Sequence, residues 1–307
     1  MRPTVSVIIP CYNQARFLPD AIESALGQTW PAVQVIVVDD GSTDATAEVC
    51  RQYADRILTL RQENAGLSAA RNAGIAASDG EFLQFLDADD RIRPDKLMEQ
   101  LQAFEAHPAV GVVYSEGVYI DAEGRVTGPV PVNHPSGRVF HELLTLWGTV
   151  AHAPLVRREC LDRVGGFDPG LRSFEDYDLW LRIALHYPFL ALDRVHFEYR
   201  VWGNTMSRNG PVMLHSAREI LRRYGYVHPG CRECARARRA GLRRWKSLVS
   251  FMMMQQARQY LAQGDRVRAW QNVLFVLRNN PGHIRHLLRP DALAGKWRAL
   301  WRAQRSG

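Results

Sequence analysis

The chain has 307 residues, 46% hydrophobic and 23% charged, a composition that suits a globular protein with a full core, and no apolar run approaches the roughly 18–20 residues of a membrane span. The net charge of +7 is unevenly divided: residues 1–207 carry 18 Lys+Arg against 28 Asp+Glu, a balance of −10, and residues 208–307 carry 21 against 4, a balance of +17. Five cysteines, an odd number in so long a chain, argue against a disulfide framework and for a reducing compartment, so a cytoplasmic location is expected.

The N-terminal "VSVIIP" (5–10) is a short apolar run followed at once by polar Asn13 and Gln14, with no small-residue cleavage site, and reads as a strand rather than a signal peptide. Its lack of alternation predicts burial on both faces of a parallel sheet. Residues 15–28 have helical periodicity, with Phe17, Leu18, Ile22 and Leu26 on one face. "VQVIVVDD" (33–40) is a second buried strand, 42–54 a helix with Ser42 at its N-cap, and 56–61 a third strand. A helix over 67–78, a fourth strand over 81–87 and a helix over 94–107 with Pro at its first position follow. Strands and helices alternating in this way predict an α/β fold with a doubly wound, mostly parallel sheet, in which ligands bind at the carboxyl ends of the strands. Pro10, Asp39, Asp40 and Asp87 all fall at such ends.

The stretch "FLQFLDADDRIRP" (82–94) closes a buried strand with Asp87, Asp89 and Asp90. Carboxylates crowded at a strand tip repel one another and persist where they are solvated or where a cation neutralises them. A helix starting near Pro94 accounts for Asp90 and Asp95 but not for Asp87. There is no G-x-x-x-x-G-K-[ST], no G-x-G-x-x-G after the first strand and no G-x-S-x-G, which argues against P-loop enzymes, nicotinamide dehydrogenases and α/β-hydrolases. A crevice of acid oxygens suits a hard divalent cation, Mg²⁺ or Mn²⁺.

"VSVIIPCYNQARFLPDAIESALGQTW", "VIVVDDGSTDAT", "ENAGLSAARNAGIAASDGEFLQFLDADD", "VGGFDPGL" and "FEDYDLWLRIA" occur in that order, and together they resemble glycosyltransferase family 2, the inverting enzymes of the GT-A fold that use nucleotide sugars. The resemblance covers about residues 3–207. It implies that Pro10, Tyr12 and Asn13 line a base pocket, that Asp39 and Asp40 accept hydrogen bonds from base or ribose, and that Arg71 and Asp87 lie on the nucleotide side. It implies that Asp89, with Asp87 and Asp90, holds the metal on the donor diphosphate, and that Asp176 is the general base, supported by Glu175; Asp178 is expected to pair locally. Where relatives often have a His after a "YR" pair, this chain has Trp202, so Arg200, Asn204 and Ser207 become the candidates to face the phosphates, and Trp202 either stacks on sugar or packs. The implied reaction transfers a sugar to a hydroxyl of a glycan or lipid-linked acceptor in polysaccharide assembly. A non-catalytic nucleotide-sugar-binding protein and a nucleotidyltransferase are the alternatives.

A boundary is expected near Ser207–Pro211, separating a catalytic domain, 1–207, from a basic helical region, 208–307. Residues 248–284 read as two helices joined at Gly264–Asp265. Arginines beside Trp in "RRAGLRRWKSLVSFMMM" and "GKWRALWRAQR" suit an anionic membrane surface, which would make the protein peripheral at the inner face of the membrane; nucleic-acid binding is the competing reading and is not expected. "CREC" (231–234) has no second ligand pair near it in sequence, which argues against a zinc site.

Overall fold

The computed structural model describes residues 4–130, 135–145, 151–171, 173–202, 209–225, 227–228 and 230–282. Asn204, Ser207 and the segment 295–305 lie outside them. The N-terminal half runs β1 (Val5–Cys11), α1 (Leu18–Leu26), β2 (Val33–Asp39), α2 (Thr46–Gln52), β3 (Leu58–Arg61), α3 (Leu67–Ala76), β4 (Phe82–Phe85), β5 (Arg91–Ile92) and α4 (Lys96–Ala106). There follow β6 (Val112–Ile120), β7 (Val126–Pro129), α5 (Phe140–Thr145), β8 (Leu155–Arg157), α6 (Arg158–Val164), α7 (Glu175–Ala184), β9 (Phe189–Arg200), α8 (Gly210–Tyr224), α9 (Arg232–Ala262) and α10 (Arg266–Asn279).

These strands form one sheet in the order β3-β2-β1-β4-β8-β6-β9-β5, with β7 paired to β6. β1 is parallel to both β2 and β4, β2 to β3, and β6 to β9; most paired positions lie in these ladders. β8 runs antiparallel between β4 and β6. β1 is buried at every position because the sheet is covered on both faces, as its near-continuous apolar run requires; Ser6 is the polar exception and donates its hydroxyl to Gln34. The chain steps outward from β1 to β3 and returns to β4 on the other flank of β1. The loops after β1 and β4 therefore diverge and leave a crevice at the carboxyl ends of the strands.

Ser42 does not cap α2, which begins four residues later at Thr46. Its hydroxyl accepts the Asn13 N–H and its own N–H goes to Asp39, while Asp44 takes the Thr46 N–H. Gly41 makes this loop possible: it has φ +76°, and a Cβ there would lie 2.8 Å from the Asn64 nitrogen. α4 likewise begins at Lys96, after Pro94.

Packing continues across the change of charge near residue 208. Tyr177 and Trp180 of α7, Leu143 and Leu144 of α5, Leu221 of α8, and Trp245 and Val249 of α9 belong to one buried apolar cluster. α9 approaches α5 so closely that a Cβ at Gly241 would lie 2.3 Å from the Leu144 carbonyl oxygen. The joint between α9 and α10 falls at Gly264–Asp265 as expected, with the Asp265 carboxylate capping α10 through the Arg268 N–H.

Candidate active site

Pro10 and Cys11 end β1 beside Val38 and Asp39 of β2. Tyr12, half exposed, follows at the mouth of the crevice. Asn13 adopts φ +54°, a conformation Asn tolerates, and its side-chain oxygen accepts N–H groups from Thr43 and Asp44, clamping the β1 loop to the β2 loop. The two acids of "VDDG" differ in their bonding. Asp40 is buried and its carboxylate accepts from Gln62 and from the Ala65 and Gly66 N–H groups, so it shapes the entry to α3. Asp39 gives one oxygen to the Ser42 N–H; the other has no hydrogen-bond partner and lies 3.7 Å from the half-exposed Arg61 guanidinium.

After β4 the chain turns through Asp87, Asp89 and Asp90. Asp90 is fully buried; one oxygen accepts the Arg200 N–H at 2.6 Å and the other lies 3.1 Å from His152 Nδ1 without forming a hydrogen bond. Asp87, Asp90 and His152 bring ligand atoms within 4.8 Å of one another. His152 is buried on a loop fixed by the side chain of Gln84, which donates to its carbonyl, and by Lys96 and Gln100, which donate to that of Ala153. Neither of its ring nitrogens has a hydrogen-bond partner, and burial pulls its pKa down to about 4, leaving a neutral ring. Burial, with Asp89 and Asp87 adding to it, pushes the Asp90 carboxyl well up. Asp89 accepts the Trp202 indole N–H at 2.9 Å, and Trp202 packs edge-on against Phe17 at 4.8 Å. Arg200 does not face the crevice: its guanidinium binds Asp20 and the carbonyls of Asp89, Asp121 and Ala122.

α7 opens at Glu175 directly after Phe174, which holds φ +67° between the rings of Tyr177 and Trp245. A left-handed Phe costs on the order of 1–3 kcal/mol and persists because packing over-determines it. It projects Glu175 and Asp176 from the first turn of the helix. Arg71, almost wholly buried on α3, joins this turn to the β4 loop: one nitrogen donates to Glu175 at 2.7 Å, another to Asp87 at 2.6 Å, and the plane lies over Phe167. Burial pushes the Asp87 carboxyl up, but Arg71, through its charge and its hydrogen bond, together with His152 holds the group below the ordinary carboxylate value. Asp176 has the opposite balance, since burial and neighbouring Glu175 push it up to about 8 against the pull of Arg71. Asp178 points away, to Arg182, Arg223 and Tyr224.

The model of "Glycosyl transferase family 2" matches residues 6–165, slightly more than half of the chain. The chain belongs to glycosyltransferase family 2. It is 32% identical over 204 residues to a glycosyltransferase of Rickettsia typhi, covering 65% of this chain and 62% of that protein, and 28% identical over 209 residues to chondroitin synthase of Escherichia coli, covering 67% of this chain and 30% of that one. The family 2 chain thus spans under two thirds of the length of these relatives. Its fold is GT-A. S. aureus TarS in complex with UDP-GlcNAc superposes with a TM-score of 0.57 at 18% identity, covering 87% of this chain and 89% of that one. Mannosyltransferase PcManGT from Pyrobaculum calidifontis, in complex with GDP-Man and Mn²⁺, gives 0.62 at 18%, covering 100% and 83%.

His152 is absent from the sequence expectations. A lone His in an apolar stretch, 62 positions from Asp90, carries no spacing signal; only the fold brings the two together.

Proposed function

We propose that the chain is an inverting, divalent-cation-dependent glycosyltransferase that moves a sugar from a nucleoside-diphosphate sugar to a hydroxyl of a glycan or lipid-linked acceptor in polysaccharide assembly. The observation that carries this reading is the Arg71 bridge, which ties the donor-side carboxylate Asp87 to the α7 turn bearing Asp176. In this reading Tyr12 and Asn13 line the base pocket and Asp39, with its uncommitted oxygen, receives base or ribose; Asp40 supports the loop. Asp176 removes the acceptor proton while that oxygen attacks the anomeric carbon from the face opposite the diphosphate, so the configuration inverts. A carboxyl raised to about 8 is a stronger base than an ordinary one, and Glu175, fixed by Arg71, sustains that shift.

The residues fit a divalent cation. The free oxygen of Asp90, the unpartnered nitrogens of neutral His152 and partly exposed Asp87 form a mixed oxygen–nitrogen donor set suited to Mn²⁺ or Mg²⁺, with Asp89 adjacent. A bound cation would neutralise the charge developing on the departing diphosphate. The complexes of TarS with UDP-GlcNAc and of PcManGT with GDP-Man and Mn²⁺ support this donor class.

Residues 208–307 supply the membrane-surface contact in this proposal. Val267, Trp270, Leu274 and Leu277 are exposed along one face of α10, beside Arg266, Arg268 and Arg278, a pattern that suits shallow insertion into an anionic surface. Among the described residues no helix is long and apolar enough to cross a membrane.

The test is a panel of UDP- and GDP-sugars with Mn²⁺ or Mg²⁺. One donor should stabilise the protein, by about 2.7 kcal/mol at 100 times its Kd, and should release nucleoside diphosphate in a cation-dependent reaction. Released pyrophosphate would identify a nucleotidyltransferase instead. Binding without turnover, in the presence of a range of glycan acceptors, would favour the non-catalytic alternative.

A further inference from the structure

A second cluster of metal-ligating side chains lies away from the crevice, where α9 begins against α5. Cys231 is the N-cap of α9, and its sulfur accepts the Cys234 N–H at 3.3 Å. His141, on α5 and 90 positions earlier, points its Nε2 at both sulfurs, 3.3 Å from Cys234 Sγ and 4.0 Å from Cys231 Sγ. The ligand atoms of these three residues all lie within 4.8 Å of one another. His228, three residues before Cys231, brings its Nδ1 to 3.6 Å from Cys234 Sγ. The fold therefore brings two histidines to "CREC" that the sequence keeps apart from it or outside the usual spacing: His141 from α5, within reach of both sulfurs, and His228 from the loop before α9, beside Cys234.

We infer that His141, Cys231 and Cys234, with His228 as the fourth ligand, form a structural zinc site. Around a tetrahedral zinc ion, Zn–S bonds of about 2.3 Å and Zn–N bonds of about 2.0–2.1 Å set sulfur and nitrogen about 3.5 Å apart. The three sulfur–nitrogen separations of 3.3, 3.6 and 4.0 Å bracket that value. Outer contacts fit as well. Glu233 lies 3.7 Å from His141 Nδ1, positioned to hold the ring in the tautomer that leaves Nε2 free for metal. The Cys234 N–H and the start of a 31-residue helix both favour a thiolate at Cys231. Four protein ligands leave no open position, so the site is a clasp rather than a catalytic centre. It fastens α5 to α9, the helix whose Trp245 packs on Phe174 beside the proposed base.

The test uses the full-length chain purified under reducing conditions without chelator. Zinc measured by mass spectrometry should be near one per chain and should be displaced by thiol-modifying mercurials. Replacement with Co²⁺ should give the visible bands of a tetrahedral ion and a thiolate-to-cobalt charge-transfer band. The Cys231→Ser/Cys234→Ser double variant should lose both. In case that variant does not fold, Glu233→Gln removes no ligand and should still lower zinc affinity 10–100-fold in a competition with a chelator. Fully reduced protein that takes up no zinc on reconstitution would overturn the inference. So would zinc retained undiminished by the double variant, which would place it elsewhere, or a Cys231–Cys234 disulfide recovered in place of metal.

Discussion

Replacing Arg71 with Met removes the cation that bridges Asp87 and Glu175 while keeping an apolar side chain over Phe167. Arg71 and Glu175 are both buried, whereas Asp87 is 31% exposed and water can recover part of its charge. Breaking a buried ion pair by deleting one partner costs about 3–5 kcal/mol, because a desolvated charge is left behind. The loss here should fall at the lower end of that range, a drop in Tm of roughly 4–6 °C for a chain of this size. The sign of its pH dependence follows. Without the guanidinium, the folded-state pKa of Asp176, already raised by burial and Glu175, loses the pull of Arg71 and rises further above its unfolded value. The native state then holds more protons than the unfolded chain, and stability is regained as pH falls through the window between the two. Denaturant titrations at pH 5 and pH 8 should therefore show a smaller defect at pH 5. Arg71→Met/Glu175→Gln should recover part of the loss by removing one stranded carboxylate. A defect below about 1 kcal/mol, a surface-pair value, and flat with pH would refute the claim that this guanidinium holds the two loops together.

Asp176→Asn should lower kcat by roughly 10² to 10⁴ with donor affinity within a few-fold of wild type, and retention of more than about a tenth of the rate would move the base to Glu175. In the wild type, kcat/KM should rise with pH up to an apparent pKa near 8, the value to which burial and Glu175 push Asp176, and a flat profile between pH 6 and 9 would count against that assignment. Calorimetry of Mn²⁺-dependent nucleoside-diphosphate binding should show a loss of affinity in Asp90→Asn, His152→Ala and Asp89→Ala; unchanged binding in the first two would leave Asp87 and Asp89 as the ligands. Deletion of residues 208–307 should give insoluble or molten protein, because it exposes Trp180, Tyr177 and Leu144, and a soluble, cooperatively folded truncation would contradict the shared core.

The parallel half of the sheet was legible because strands buried on both faces write themselves as near-continuous apolar runs, and β1, β2 and β4 each carry only one polar residue inside the run, Ser6, Gln34 and Gln84. The joint at Gly264–Asp265 was legible for a comparably local reason: a Gly that ends one helix and an Asp that caps the next. What escaped was non-local. β5 has two residues and exists only by pairing with β9, so it has no periodicity to detect. Ser42 looked like a cap because local pattern cannot show that Asn13, on the loop after β1, and Asp39, at the end of β2, would claim its polar groups. Asp40 and Arg200 are both engaged by loops distant in sequence, partners that no local pattern names. Arg71 was placed near the nucleotide, but its partner Glu175 lies 104 positions away.

α9 keeps two registers that do not overlap. Cys234, Ala237, Gly241, Trp245 and Val249 face the core, while Arg232, Arg236, Arg239, Arg243 and Arg244 are exposed. Exchanging those five arginines for glutamine would take the formal charge of the chain from +7 to +2 without altering a core-facing side chain of α9. The positive charge of this helix is thus an adjustable property of the protein, separable from its folding in a way that deleting the region can never be.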